Sequence, residues 1–177
     1  MSRDPLSDPE PLIRRVYSYA AYRLGPGPDA EDVTSAAIER ALRYRSSFDS
    51  RKGSPQAWIL GIARTCVDDH LRGRAPREGE LVERPESDEL EQEAVLRLSV
   101  AAALDALDDG DRELIALRYG ADLSTRQIAA LLQMQTNAVD VALHRARERL
   151  RRRLEGAGVE GRARSVSLSG AAPEPSR

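Results

Sequence analysis

The sequence has a single cysteine, Cys66, two histidines, one tryptophan and one phenylalanine, and aromatics make up only 4% of its 177 residues. One thiol rules out an internal disulfide, and Cys66 has no neighbouring ligands of the kind a zinc site needs. A small buried hydrophobe is the expectation for it. No apolar run approaches the roughly 20 residues that span a bilayer. The opening "MSRDPLSDPEPL" lacks the basic and apolar regions of a secretory leader, so a cytoplasmic protein is expected. β-branched residues are sparse, and no polar cluster resembles a catalytic constellation. "DDH" at Asp68, Asp69 and His70 comes nearest, but adjacent helical positions point about 100° apart and do not converge on one metal. His144 stands alone. Neither an enzyme nor a cofactor or metal site is expected.

What remains is dominated by Ala, Leu, Arg and Glu, which favours an all-α fold. The formal net charge of -2 conceals a segregation along the chain. Residues 76–100 carry 3 basic and 8 acidic side chains and residues 101–122 carry 2 and 6, whereas 123–154 carry 7 and 2. Local sign, not overall charge, decides which partners a surface attracts.

Punctuation divides the chain into two small helical domains. In residues 9–74, an apolar-periodic helix from about Pro11 to Leu24 stops at "GPGPD". A second helix, with Asp29 as its expected N-cap, runs to about Tyr44. After the loop "RSSFDSRKGS", Pro55 suits the first turn of a third helix, which carries Trp58, Ile59, Ile62, Ala63, Val67 and Leu71. Residues 75–88 read as a flexible acidic linker that holds two domains apart. In residues 89–155, "DELEQEAVLRLSVAAALDAL" is helical in spacing, and a further helix is expected from about Asp109 to Tyr119, stopped by Gly120. Residues 156–177 lack periodicity and are expected to be disordered.

The basic segment has the organisation of a helix-turn-helix. In "LSTRQIAALL", Ser124 and Gln127 have capping-box spacing ahead of a short apolar face. "QMQT" interrupts, and Thr136 is the expected cap of a longer helix with Val139, Leu143, Ala146, Leu150 and Leu154 on one stripe. Asn137, Val141, His144, Arg145, Glu148 and Arg152 then fall on the opposite side. Arginine-rich helix ends also occur as solvated faces near a negative helix terminus, but the cap, turn and stripe together favour DNA. The start of such a helix reads base edges while later cations hold phosphates. Asn137 suits adenine, Arg145 suits guanine or phosphate, and Arg147, Arg149 and the arginines at 151–153 suit phosphate.

Taken in order, the two blocks resemble a group IV, or extracytoplasmic-function, sigma factor of bacterial RNA polymerase, in the sigma-70 family. "ALDALDDGDRELIALRYGADLSTRQIAALLQMQTNAVDVALHRARERLRRRL" is similar to the family's fourth conserved region. "DAEDVTSAAIERALRYRSSFDSRKGSPQAWILGIARTCVDDHLRGR" is similar to the second, marked by "AEDV", "F-D-x-x-x-G-S-P-x-A-W" and "D-H-L-R". The resemblance implies a dissociable subunit that directs promoter-specific initiation, with core RNA polymerase (β′ clamp and β flap), promoter DNA and an anti-sigma factor as partners. It places polymerase binding at Asp29, Glu31, Asp32, Ser35 and Arg40. It places minus 10 contacts at Phe48, Asp49, Arg51, Lys52, Trp58 and Arg64. It places minus 35 contacts at Gln135, Thr136, Asn137, Asp140, Val141, His144, Arg145, Arg147, Arg149 and Arg151. The acidic linker is then either a solvated connector or a mimic of nucleic acid in the polymerase RNA path. Ser35, Thr65, Gln133 and Asp140 depart from the residues usual in the family, and Asp140 beside DNA implies an unusual minus 35 preference. A sigma-like decoy that binds an anti-sigma factor without initiating transcription is the alternative, and it has no need of the DNA face.

Overall fold

The structure is a computed structural model, and it describes residues 4–73 and 98–168, with side chains to 156. The linker at 75–88, its two readings, and the helix start expected near Asp88 lie outside the described residues. Those residues are helical, with no strand among them.

In the N-terminal domain α1 (Pro9–Leu24), α2 (Pro28–Arg43) and α3 (Pro55–Gly73) pack side by side, with a 3-10 turn at Arg45–Ser47. Gly25 and Gly27 take φ of 87° and 126°, which makes the break between α1 and α2 a glycine requirement. Asp29 is not the N-cap of α2. Pro28 opens that helix, because its ring fixes a helical φ and it has no N–H to leave unpaired, and Asp29 sits in the acidic first turn.

In the C-terminal domain α4 (98–105) is followed by α5 (Asp109–Ile115), α6 (Thr125–Leu132) and α7 (Thr136–Leu168). The Asp108 carboxylate caps α5 by accepting from the Asp111 N–H at 2.8 Å. Gly120 does not simply stop α5. The helix widens into a π turn at Ala116–Gly120, and the chain reverses at Asp122, where φ is 53°. Ser124 and Gln127 form the capping box of α6. Helix α7 begins at Thr136 itself, so Thr136 is its first helical residue and not its cap. The helix continues to Leu168, beyond Gly156, from which periodicity is absent in the sequence.

The two domains do not stand apart. One contiguous core includes Val16, Tyr19 and Ala20 of α1, Ile59, Leu60 and Ala63 of α3, and Leu114, Leu117, Ile128 and Val139 of the C-terminal domain. Gly120 allows the closest approach: a Cβ there would lie 3.0 Å from the Ser18 carbonyl oxygen and 3.1 Å from Tyr19 Cα. A Cβ at Gly61 of α3 would meet Leu131 of α6 at 3.5 Å.

Candidate nucleic-acid interface

Packing of α7 fixes which of its side chains are free. Val139, Leu143 and Ala146 are buried, with Leu150 packed beside them, so the helix is anchored along the apolar stripe. Asn137, Asp140, Val141, His144, Arg145 and Arg147 point to solvent, as do Gln135 and Thr136 ahead of them. Val141 is among the most exposed large apolar side chains, at 51%. An exposed methyl-bearing side chain at the start of a presented helix suits a thymine methyl group in the major groove. Asp140 is an exposed carboxylate on this face with no cationic partner among the described residues, which repels phosphate and suits a cytosine amino group.

The arginines of α7 divide into two kinds. Arg145 and Arg147 have no acidic partner among the described residues. Arg149 does not extend freely toward DNA: it donates to the Asp111 carboxylate and lies 3.8 Å from Asp108. Its guanidinium pKa is raised by the hydrogen bond to Asp111 and that residue's charge. Asp111 is buried and needs a cation, so Arg149 fastens α7 to α5. Arg151 lies 3.5 Å from Glu148 and 3.7 Å from Glu155, loose surface pairs that phosphate can displace.

The loop before α3 forms a second cluster. Phe48 and Trp58 meet edge to face with ring centroids 5.7 Å apart. The Asp49 carboxylate accepts from the Arg51 N–H at 3.0 Å and from Arg51 Nε at 3.1 Å. Those hydrogen bonds hold its pKa below the ordinary value. Asp49 thus shapes the loop, leaving Arg51 and Lys52 exposed beside two aromatic rings, an arrangement suited to stacking and charge contacts with single-stranded nucleic acid. Arg64 is not part of this cluster, because it turns toward Glu113 of α5, 3.3 Å away.

On α2, Glu31, Asp32 and Ser35 are exposed while Val33, Thr34 and Ala37 are buried, giving a polar outer face on a well-packed helix. Asp29 and Arg40 face α3 instead, 3.6 Å from His70 and 3.5 Å from Asp69 respectively. The "DDH" side chains diverge: Asp68 approaches Arg23 at 3.9 Å, Asp69 pairs with Arg40 and Arg72, and His70 faces Asp29. No group of three His, Cys, Asp or Glu among the described residues is placed to hold a metal ion, and no described helix is long and apolar enough to cross a membrane.

The sequence reading missed the polar centre between the domains. Tyr19 Oη donates to Glu113 Oε2 at 2.9 Å, and Arg23 Nη1 donates to Asp109 Oδ1 at 2.6 Å. Arg23 Nε lies 2.8 Å from Glu113 Oε2, too oblique for a hydrogen bond but close enough for strong attraction. Burial raises the Glu113 pKa against the opposing pull of Arg23, Tyr19 and Arg64. Burial and the adjacent Glu113 charge push the Tyr19 phenol well up. Burial works against the Arg23 charge, yet its partners, led by the hydrogen bond to Asp109, raise the pKa overall. The available signal was Arg23's position on the same stripe as Val16, Tyr19 and Ala20: a cation on an apolar face requires a buried partner.

Residues 10–77 match the family Sigma-70 region 2, and residues 97–150 match Sigma-70, region 4. The chain is 34% identical over 147 residues to the ECF RNA polymerase sigma factor BldN of Streptomyces coelicolor, covering 78% of this chain and 56% of BldN. It is 32% identical over 149 residues to the RNA polymerase sigma-E factor of the same organism, covering 81% of this chain and 82% of that protein. Among solved structures, the sigma factor RpoE in complex with the anti-sigma factor NepR from Bartonella quintana shares the fold. Its TM-score is 0.65 at 21% identity, covering 81% of this chain and 92% of that one. CnrH in complex with the cytosolic domain of CnrY aligns with a TM-score of 0.57 at 25% identity, covering 82% of this chain and 81% of that one.

Proposed function

Because this chain belongs to the extracytoplasmic-function group of the sigma-70 family, we propose that it binds core RNA polymerase and directs initiation at a restricted set of promoters. The observation that carries this reading is the pairing, in family order, of an aromatic and cationic single-strand cluster in the first domain with an exposed base-reading helix in the second. Phe48, Arg51, Lys52 and Trp58 contact the melted minus 10 strand by stacking and charge. Gln135, Thr136, Asn137, Asp140, Val141, His144 and Arg145 read the minus 35 duplex, with Arg147 and Arg151 on phosphates. Arg64 and Arg149 hold the protein together in this form. The uncompensated Arg145 and Arg147 favour DNA use over a decoy, which would gain nothing from them. An anti-sigma factor is a further partner, in line with the complexes that RpoE and CnrH form. Run-off transcription with core polymerase over a promoter library tests the reading: a defined minus 35 and minus 10 consensus supports it, and binding to core without any transcript restores the decoy.

The exposed face of α2 takes the polymerase clamp, Glu31, Asp32 and Ser35 forming its polar rim. Reversing both charges in Glu31→Lys with Asp32→Lys is expected to weaken core binding at least tenfold, about 1.4 kcal/mol or more, with unchanged helicity. Undiminished co-elution of the folded double variant with core polymerase would move the clamp site elsewhere.

Reading and holding are separable on α7. Arg145→Ala is expected to alter preference at one minus 35 base pair by about 1–3 kcal/mol. Arg151→Ala is expected to weaken all sequences alike and to reduce the slope of log affinity against log salt by about one. Binding titrations on single-base promoter variants at several salt concentrations distinguish the two; a uniform loss for Arg145→Ala makes that residue a phosphate clamp.

A further inference from the structure

One cation of the helix-turn-helix stands where its own helix has no use for it. Arg126 is the second residue of α6, in a first turn that contains no acidic side chain. The helix dipole puts partial positive charge at this end, so a guanidinium there opposes the helix. No acid among the described residues offsets it. The nearest in sequence, Asp122, is taken by Arg15 at 3.1 Å. The preceding arginine, Arg118, is differently placed: it donates to the Leu123 carbonyl at 2.8 Å and braces the turn before α6.

Neither capping nor packing calls for Arg126. The Ser124 hydroxyl accepts from the Gln127 N–H at 3.3 Å, and Gln127 Oε1 accepts from the Ser124 N–H at 2.9 Å, so the cap is complete without it. Ile128 and Ala129 are buried and Leu131 and Leu132 half-buried. At about 100° per residue Arg126 projects from the opposite side of α6, together with the exposed Ala130. What remains to account for the charge is an anion outside the chain.

The architecture identifies that anion. In a helix-turn-helix the second helix enters the major groove and the first crosses the sugar–phosphate backbone. Residues 133–135 join α6 to the exposed start of α7. The eight residues of α6 span about 12 Å at 1.5 Å per residue, close to the width of the major groove. With Gln135, Thr136 and Asn137 over the base edges, the start of α6 reaches the rim of the groove, where the phosphates lie. A planar guanidinium with its fork of donors suits that partner.

We propose that Arg126 is a phosphate anchor, holding the backbone beside the minus 35 element from α6 while Arg147 and Arg151 hold it from α7. This rests on the promoter-binding reading above and extends it to a helix that reads no base. Gripping the backbone from two helices fixes the angle at which α7 enters the groove, so a contact without sequence information positions those that carry it.

Stability and binding are expected to move in opposite directions. Arg126→Glu places at the start of α6 the sign of charge that the helix favours, and is expected to raise the melting temperature of the full chain by about 1–4 °C at low salt. The same substitution is expected to weaken holoenzyme binding to promoter duplex by about tenfold or more. Arg126→Gln is expected to weaken it about fivefold to tenfold at about 0.1 M salt, alike for all minus 35 variants, and to reduce the slope of log affinity against log salt by about one. Arg126→Lys keeps the charge and most of the affinity. Promoter duplexes in which single phosphates near the minus 35 element are replaced by neutral methylphosphonate locate the contact: one replacement weakens binding by the parent and leaves Arg126→Gln unaffected. Equal salt slopes for the parent and Arg126→Gln overturn the proposal. A lowered melting temperature for Arg126→Glu also overturns it, by making the residue structural. Weakened core binding without DNA overturns it by making the partner polymerase. If the parent directs no transcript with core, the promoter reading fails and the anchor with it; a transcribing parent beside an unaffected Arg126→Gln removes the anchor alone.

Discussion

Substituting methionine for Arg23 is expected to destabilise the fold by about 3–5 kcal/mol, because it leaves the Glu113 carboxylate buried without its main cation. Arg23 is 1% exposed and Glu113 10% by side chain, so screening by solvent does little to soften the loss. Asp109 contributes less, since it is largely exposed and is rehydrated when released. Adding Glu113→Gln is expected to recover most of the deficit: the amide removes the unpaired charge and keeps an acceptor for the Tyr19 hydroxyl. Urea unfolding of the single and double variants measures both effects. A double variant no more stable than Arg23→Met would show that the arginine acts through packing of its stem and not through its charge.

Truncating Leu117 to alanine is expected to lower stability by about 2–5 kcal/mol, since the side chain is fully buried and a cavity remains. The location makes the effect diagnostic. Leu117 belongs to the C-terminal domain, but its core is continuous with that of α1 and α3. The single tryptophan, Trp58, lies in the N-terminal domain and packs against that core. Its fluorescence should therefore report a lower transition midpoint for Leu117→Ala. An unchanged Trp58 transition beside a lowered helical signal would mean that the two domains unfold independently.

Features governed by near neighbours were legible in the sequence. The Ser124–Gln127 capping box, Pro55 at the start of α3 and the stripe from Val139 to Leu150 follow from spacings of three and four residues, and each is present. Errors arose where two local signals competed: Asp29 is a good capping residue, but Pro28 beside it is a better first helical residue. The arginines of α7 look alike in sequence, and only the fold shows Asp111, 38 residues earlier, claiming Arg149 and not Arg145. The seam between domains was least legible because its partners are about a hundred residues apart, as Arg15 and Ala121 are. The contact between the domains depends on surface complementarity, which composition does not display, and Gly120 reads in sequence only as a helix stop.

The left-handed residue in the turn before α7 has a bearing on how this domain could adapt. Gln133 has φ of 55° and closes α6, a conformation that costs a residue with a Cβ about 1–2 kcal/mol and glycine almost nothing. The side chain is exposed. The helix-turn-helix therefore keeps thermal tolerance in reserve at an exposed turn position outside the buried core. A lineage moving to a hotter habitat could raise its melting temperature by one codon change there, with the promoter preference of α7 left as it was.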